Sequence, residues 1–188
     1  MSSSITITAE QFKQQFVYDF PYLNVWSSGS TYSIGDRVFY LGKFYDSLVD
    51  NNTMIPTATE YWKEVQDSVE NYITDSQILN AEQEALTIFN STLFSSASAG
   101  KMGLCYLTAH FLVIDHWNSV GGVNSTPRFP SASKKAGEVS ETVAIPAIIQ
   151  NNPLYWMLMQ TGYGNKYLMM VLPKLVGVCG IAGGTTLP

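Results

Sequence analysis

Two histidines and two cysteines are the side chains of this chain best suited to metal binding or nucleophilic chemistry. His110 and His116 lie six residues apart in one apolar stretch. Zinc-binding histidines on a helix are typically four residues apart, which places both rings on one face; a spacing of six predicts two different faces. We therefore expect core or interface histidines. Cys105 in the same stretch and Cys179 near the C-terminus indicate reduced thiols of a cytoplasm rather than a disulfide framework.

No other group of residues has the spacing of a catalytic or cofactor site. No Ser or Cys lies in a G-x-S-x-G turn. The glycines between Gly177 and Gly184 are not followed by the Lys-Ser/Thr pair of a phosphate-binding loop. The acidic residues show no pairing that would indicate general acid–base catalysis. The sequence predicts a protein that is not an enzyme, with no cofactor and no metal.

Aromatic residues concentrate between positions 26 and 62, and their rings allow two kinds of chemistry. The candidate residues for either role are Trp26, Tyr32, Tyr45, Tyr61 and Trp62. Exposed rings can stack on sugars, whereas buried rings supply the core of a unit too small to bury much else. The sequence alone leaves both interpretations open.

The same region has the pattern of a small β module. Segments 37–40 and 44–49 are predicted strands, joined by a tight connection in which Gly42 supplies a positive φ. Helical signals lie on both sides, so the module is predicted to be inserted into a helical domain.

Composition and charge limit the class of protein. The chain of 188 residues is 46% hydrophobic and 13% charged, which predicts a folded protein and favours an oligomer. Its net charge is −5, and Lys134-Lys135 is its one basic pair, so we expect no sequence-specific nucleic-acid partner. The N-terminus does not resemble a signal peptide. The apolar runs 102–117 and 167–183 contain polar or charged residues and are short, so we expect no membrane span.

Helix signals dominate the rest of the chain. Thr8 and Gln11 match a capping box, and a short helix is predicted to follow and to end near residues 19–21. Thr74 and Gln77 repeat the box before an amphipathic helix, whose Glu82 and Glu84 are predicted to face solvent. Further helices are predicted at 99–120 and 153–160. Gly162 is interpreted as the glycine that ends the 153–160 helix, within a turn at 161–164. Residues 167–172 could form either a helix or a strand.

Two segments are predicted to extend from this helical domain. Residues 138–145 alternate polar and apolar side chains as a strand does, and with Gly137 as a turn this predicts a β-hairpin over residues 132–144. Residues 177–188 have no charged side chain and are predicted to form an arm that becomes ordered in an assembly.

The predicted fold class is a mainly α outer domain, a small helical bundle with a β-hairpin and an extended C-terminal arm, plus a small all-β inserted module. The discontinuous helical domain is assigned to residues 1–24 and 68–188, the module to 25–67 and the arm to 177–188.

The module resembles the small chitin-binding type of carbohydrate-binding module. The resemblance rests on the order Trp26, Tyr32-x-x-Gly-Asp-x-Val-x-Tyr-x-Gly-Lys-x-Tyr45, Asn, Pro and Trp62 over about 40 residues. That family binds sugars on exposed rings, so the resemblance implies glycan binding through the module. One departure is Leu48-Val49-Asp50, which stands where the family usually has exposed aromatic residues. The segment also resembles modules spliced into phage structural proteins.

The outer domain resembles the head-to-tail connector (adaptor, or head-completion) proteins of tailed phages. The resemblance rests, in this order, on residues 5–12, Phe20-Pro21, the Thr74 helix, 135–140 and Thr161-Gly-Tyr-Gly-x-x-Tyr167. It covers most of residues 1–24 and 68–188.

The adaptor family implies a homo-oligomeric ring of twelve copies in the virion neck, made in the host cytoplasm. The implied partners are further copies, the portal protein, and a tail terminator or other neck proteins, with capsid or host glycan as further partners of the module. The assembly contacts are expected at Lys134, Lys135, Glu138, Val139, Glu141, Val143, Tyr163, Tyr167, Val178, Ile181 and Leu187. The alternative function is a glycan-binding decoration protein of the virion surface, acting through the aromatic module.

Overall fold

A computed structural model describes residues 5–125, 133–136, 139–142 and 151–176, the two short middle segments by their backbone. The chain divides into two compact units. Residues 1–12 and 78–188 form a helical unit, and residues 13–77 form a second, β-containing unit. The predicted fold class, mainly helical with a small β module, is confirmed. The predicted module, 25–67, lies within 13–77, and its narrower limits stay a prediction.

Five α-helices occupy the described chain: α1 (Ala9–Gln15), α2 (Asp75–Ile88), α3 (Ala97–Gly121), α4 (Pro153–Leu158) and α5 (Gly162–Val176). Short 3-10 turns lie at Val69–Asn71, Ser91–Leu93 and Gly122–Asn124. Both predicted capping boxes form, because the Thr8 and Thr74 hydroxyls accept the N–H groups of Gln11 and Gln77. These bonds satisfy donors that the first helical turn leaves unpaired.

The core of the helical unit forms where α3 packs against α5 and α5 against α4. Its buried apolar side chains include Leu104, Leu107, Leu112, Leu158, Leu168 and Val171. Helix α3 is long and apolar enough to cross a membrane by length and composition, but half of that apolar window is buried, as in the core helix of a folded domain. It stops at Gly122, whose φ of 52° favours glycine.

A glycine inside α3 has a packing role. A Cβ on Gly103 would lie 2.5 Å from the ring of Phe94. The bare backbone therefore lets that ring approach the helix, which offsets the roughly 1 kcal/mol that glycine costs in a helix interior.

The second unit contains a three-stranded antiparallel sheet in the order β1 (Arg37–Tyr40), β2 (Lys43–Ser47) and β3 (Trp62–Val65). Leu41 and Gly42 form the β1–β2 turn with φ of 46° and 83°, as a two-residue hairpin turn requires. Residues 22–25 run beside the sheet, with Val25 bridging to Phe39 and Tyr22 to Ile73.

The predicted hairpin around Gly137 forms as the antiparallel pair β4 (Ser133–Ala136) and β5 (Val139–Thr142). Gly137 and Glu138 themselves lie outside the described residues, as do positions 143–150 and the predicted arm at 177–188.

Several sequence-based expectations are corrected. Helix α1 ends at Gln15 and not near 19–21, because residues 16–19 continue as tight turns in which Phe16 and Asp19 bond three residues back. Strand β3 was not predicted. Residues 161–164 form the start of α5 instead of a turn that ends α4, because the Thr161 hydroxyl accepts the N–H of Gly164 and caps the new helix. Residues 167–172 are helical.

Candidate interaction surfaces and buried polar sites

The aromatic side chains singled out in the module pack together. Tyr45 and Trp62 are buried beside Val38, and Trp26, Tyr32, Tyr40 and Tyr61 pack against this cluster while partly exposed. Trp62 is 2% exposed, and its indole N–H donates to the carbonyl oxygen of Met54 at 2.8 Å. The ring centroids of Tyr32 and Trp62 lie 5.4 Å apart, edge to face.

This packing limits how the rings could meet a sugar. A sugar stacks on an open ring face, and neither Tyr45 nor Trp62 is exposed enough to offer one. Trp26, Tyr32 and Tyr61 keep part of their surface in solvent. The rings of Trp26 and Tyr40 meet edge to face, with 5.2 Å between their centroids. A sugar would therefore have to bind through partly covered rings.

Asn52 organises the loops around this core, and no sequence motif indicated that role. It is buried, and its side-chain amide donates to the hydroxyl of Ser47 at 2.9 Å and to the carbonyl of Tyr61 at 3.0 Å. Its amide oxygen accepts the N–H of Met54, and its backbone exchanges two hydrogen bonds with Tyr32. A buried amide with all these bonds made fixes one loop arrangement, since any other would leave polar atoms unpaired.

An ion-pair cluster lies on the edge of the sheet. The guanidinium of Arg37 binds both carboxylate oxygens of Asp46, at 2.6 and 2.8 Å, and reaches Asp67 at 2.7 Å. Asp67 also accepts hydrogen bonds from Tyr72 and Asn71. The Tyr72 hydroxyl, more than any other partner, holds the pKa of Asp67 well below its usual range. All charges of the cluster are paired, which indicates a structural role.

His110, one of the candidate ligands, is fully buried in the helical unit. Its Nδ1 lies 2.8 Å from the Thr161 hydroxyl, which also caps α5 through the N–H of Gly164. Nε2 of His110 and the hydroxyl of Thr108 have no hydrogen-bond partner in the described part of the chain. Burial lowers the pKa of His110 to about 4, so the ring is neutral at pH 7. His116 is exposed on the same helix.

A buried carboxylate corrects the prediction that Glu82 faces solvent. Glu82 is 4% exposed, and its Oε1 accepts the backbone N–H of Ile7 at 2.7 Å. This tertiary contact with Ile7 overrides the amphipathic pattern. Glu84 is exposed as predicted. Burial, with a smaller contribution from Glu82, raises the pKa of the Cys105 thiol to about 11, so this cysteine is an inert thiol at neutral pH.

A surface cleft of about 450 Å³ lies in the second unit, at its N-terminal segment. Two of its polar groups are already engaged, because Lys13 pairs with Asp75 at 2.7 Å and the Tyr22 hydroxyl donates to Phe16 at 3.0 Å. Its lining residues are Lys13, Gln14, Val17, Phe20, Tyr22 and Asn24.

The residues expected to make assembly contacts fall into three groups. Lys134, Lys135, Val139 and Glu141 lie in β4 and β5, where Lys134 is directly opposite Glu141. Tyr163 and Tyr167 lie on α5; Tyr163 is partly exposed, whereas Tyr167 is 4% exposed and belongs to the core. Burial raises the pKa of Tyr167 to about 12. The remaining positions, Glu138, Val143, Val178, Ile181 and Leu187, lie outside the described residues.

In the part of the chain that the structure describes, no three His, Cys, Asp or Glu side chains lie close enough together to hold a metal ion. No family model, curated protein or solved structure matches this chain. A functional proposal therefore depends on the residues and contacts described above.

Proposed function

We propose that this chain is a structural virion protein, a head-to-tail adaptor that forms a ring between portal and tail components in the neck of a tailed phage. One observation carries the proposal. Of the segments that resemble adaptor proteins, residues 5–12, 135–140 and 161–167 and the later part of the Thr74 helix belong to one helical unit, whereas Phe20-Pro21 and residues 74–77 belong to the second unit. An adaptor domain interrupted by an inserted module would have this organisation.

The proposed mechanism is assembly without chemistry. The helical unit supplies the body of each subunit. The β4–β5 hairpin docks on portal and tail neighbours, and the predicted arm, 177–188, supplies a second contact. A two-stranded hairpin is marginally stable by itself, which is consistent with an element that needs a partner. Each contact alone would be weak, but many around a ring bind cooperatively through high effective concentration.

The test is to locate the chain in purified particles. Antibodies against the purified protein, coupled to gold, should label the junction between head and tail in electron micrographs. Native mass spectrometry of the purified protein, alone and with its portal, should show a closed ring. Label only on fibres or over the head, or the absence of the chain from both intact and disrupted particles, would contradict the proposal.

Glycan binding through the module remains the alternative, and the burial of Tyr45 and Trp62 gives it less support than the sequence did. It predicts that Trp26→Ala abolishes binding to chitin-type oligosaccharides while the module stays folded. Equally weak binding of the unmodified protein and the Trp26→Ala variant on a glycan array would count against it.

A further inference from the structure

Three loops of the module lie at one end of its sheet. Strand β1 begins at Arg37, β2 ends at Ser47 and β3 begins at Trp62, and the antiparallel register pairs Arg37 with Asp46 and Ser47 with Trp62. The segments before β1, after β2 and before β3 must therefore lie together. The β1–β2 turn lies at the opposite end, and β3 ends there at Val65, while the carboxylate of Asp67 just beyond it pairs with Arg37.

Four large apolar side chains are exposed at the first end: Ile34 (63%), Leu48 (42%), Met54 (43%) and Ile55 (41%). We refer to these four residues as the loop-end face. Single exposed apolar side chains are common, but several on adjoining loops are typical of an interaction surface. Methionine is also over-used where a surface adapts to a protein partner.

The loops that carry the loop-end face are held together by hydrogen bonds. The carboxylate of Asp50 accepts the N–H of Ile34 at 3.0 Å, and the N–H of Leu48 donates to the carbonyl of Tyr61 at 2.9 Å. Buried Asn52 accepts the N–H of Met54. A surface ordered before binding loses little conformational entropy when a partner docks, so it suits recognition.

Acidic residues outnumber basic ones near the loop-end face, where Arg37 at the start of β1 is paired with Asp46 and Asp67, and Lys63, the second residue of β3, is exposed. Segments 27–36 and 48–61 contain Asp36, Asp50 and Glu60 but no Lys or Arg. The whole second unit, 13–77, contains nine acidic and four basic residues, which gives it a net charge of −5. The rest of the chain contains six acidic and six basic residues and is neutral overall. Long-range attraction at this end therefore favours a cationic partner.

We propose that the loop-end face is a docking surface for a protein that presents apolar side chains surrounded by lysines and arginines. The proposal rests on the proposed function, since it takes the partner to be another protein of the same particle. The exposed groups are aliphatic, whereas Trp62 and Tyr45 are turned into the core, so the face suits a protein better than a sugar. A second module of the same net charge would be repelled.

Photo-crosslinking in assembled particles tests this. A benzophenone amino acid replaces Leu48, and in a matched control it replaces Gln66, which is exposed just beyond β3 at the opposite end of the sheet. We expect position 48, but not position 66, to crosslink to a different virion protein, at a peptide that contains Lys or Arg. Thermal unfolding of both labelled proteins checks that the module is intact.

The identified partner is then purified, and its affinity is measured for the unmodified chain, for Leu48→Lys and for Leu41→Lys. Leu41 is 79% exposed in the β1–β2 turn at the opposite end and receives the same substitution. Placing a cation in the apolar centre of the interface should weaken binding about 10-fold or more. The change at position 41 should leave the affinity within about twofold, because a substitution outside the interface removes no contact.

The outcomes separate the two proposals. If an immunoblot shows the chain in particles but position 48 crosslinks no better than position 66, the docking proposal fails alone. It also fails if position 48 crosslinks only to another copy of this chain, or if the face binds a glycan instead. If the chain is absent from particles, the proposed function fails and the docking proposal with it.

Discussion

Acid should weaken the helical unit through one side chain, His110. Burial lowers its pKa from 6.5 to about 4, and no charged neighbour contributes to that shift. Between these two pH values the unfolded chain binds a proton that the folded chain does not. The stabilisation is therefore fully present above pH 6.5 and is lost as the pH falls towards 4. Each pKa unit corresponds to about 1.4 kcal/mol, so the loss should reach roughly 3 kcal/mol at pH 4.

Urea unfolding is monitored by circular dichroism at 222 nm at several pH values between 7 and 4, and it measures this loss of stability in the helical unit. The matched variants are His110→Gln, which keeps a neutral hydrogen-bonding side chain, and His116→Gln on the exposed face of the same helix. His116→Gln should follow the unmodified protein, whereas His110→Gln should lose about 3 kcal/mol less over the same range. Equal pH dependence in all three proteins would refute the reasoning. Because His110→Gln could itself weaken folding, an NMR titration of His110 in the unmodified protein gives a second measurement, and a pKa above 6 would also refute it.

Three further predictions concern stability. Gly164→Ala should lower the free energy of unfolding by about 3 kcal/mol, because the new Cβ would lie 2.0 Å from the carbonyl oxygen of Leu158 in α4. Gly162→Ala has open space around the new Cβ and should be neutral or slightly stabilising. Thermal unfolding of the two variants checks this pair. Glu82→Ala should cost about 1–3 kcal/mol by leaving a buried backbone N–H unpaired, and Glu84→Ala less than about 0.5 kcal/mol, as measured by urea midpoints. Trp62→Ala should cost the module about 3–5 kcal/mol, seen as rapid proteolytic cleavage within 13–77 while the helical unit resists; equal resistance of the two units would contradict it.

The sequence could predict elements that depend on local chemistry. The two Thr-x-x-Gln boxes form as expected because both partners of each bond lie within one helical turn. The β1–β2 hairpin forms because Gly42 can adopt the positive φ that the turn requires. Helix α3 follows its apolar pattern to within a few residues, 97–121 against the predicted 99–120.

The features that were missed depend on distant neighbours. Glu82 is buried, and the N–H that it accepts belongs to Ile7, 75 residues earlier. Thr161 begins a helix instead of a turn, and its hydroxyl also faces His110, 51 residues away. Gly162 and Gly164 allow either outcome locally, so the choice depends on packing that no local pattern contains. The role of Asn52 likewise could not be predicted from local sequence, because its hydrogen-bond partners lie on different segments of the module.

The aromatic pattern of the module illustrates why a resemblance carries over a fold more readily than a function. Trp62 fills the core of a unit of 65 residues, 13–77, and its N–H holds the loop at Met54. So small a unit cannot form without its large rings, and their spacing must persist whatever the unit binds. Residues that do not pack in the core can be substituted without unfolding the unit, so a change of binding function is expected at these positions. Leu48 is one of them, and an aliphatic side chain beside Asp50 favours contact with a protein over stacking on a sugar.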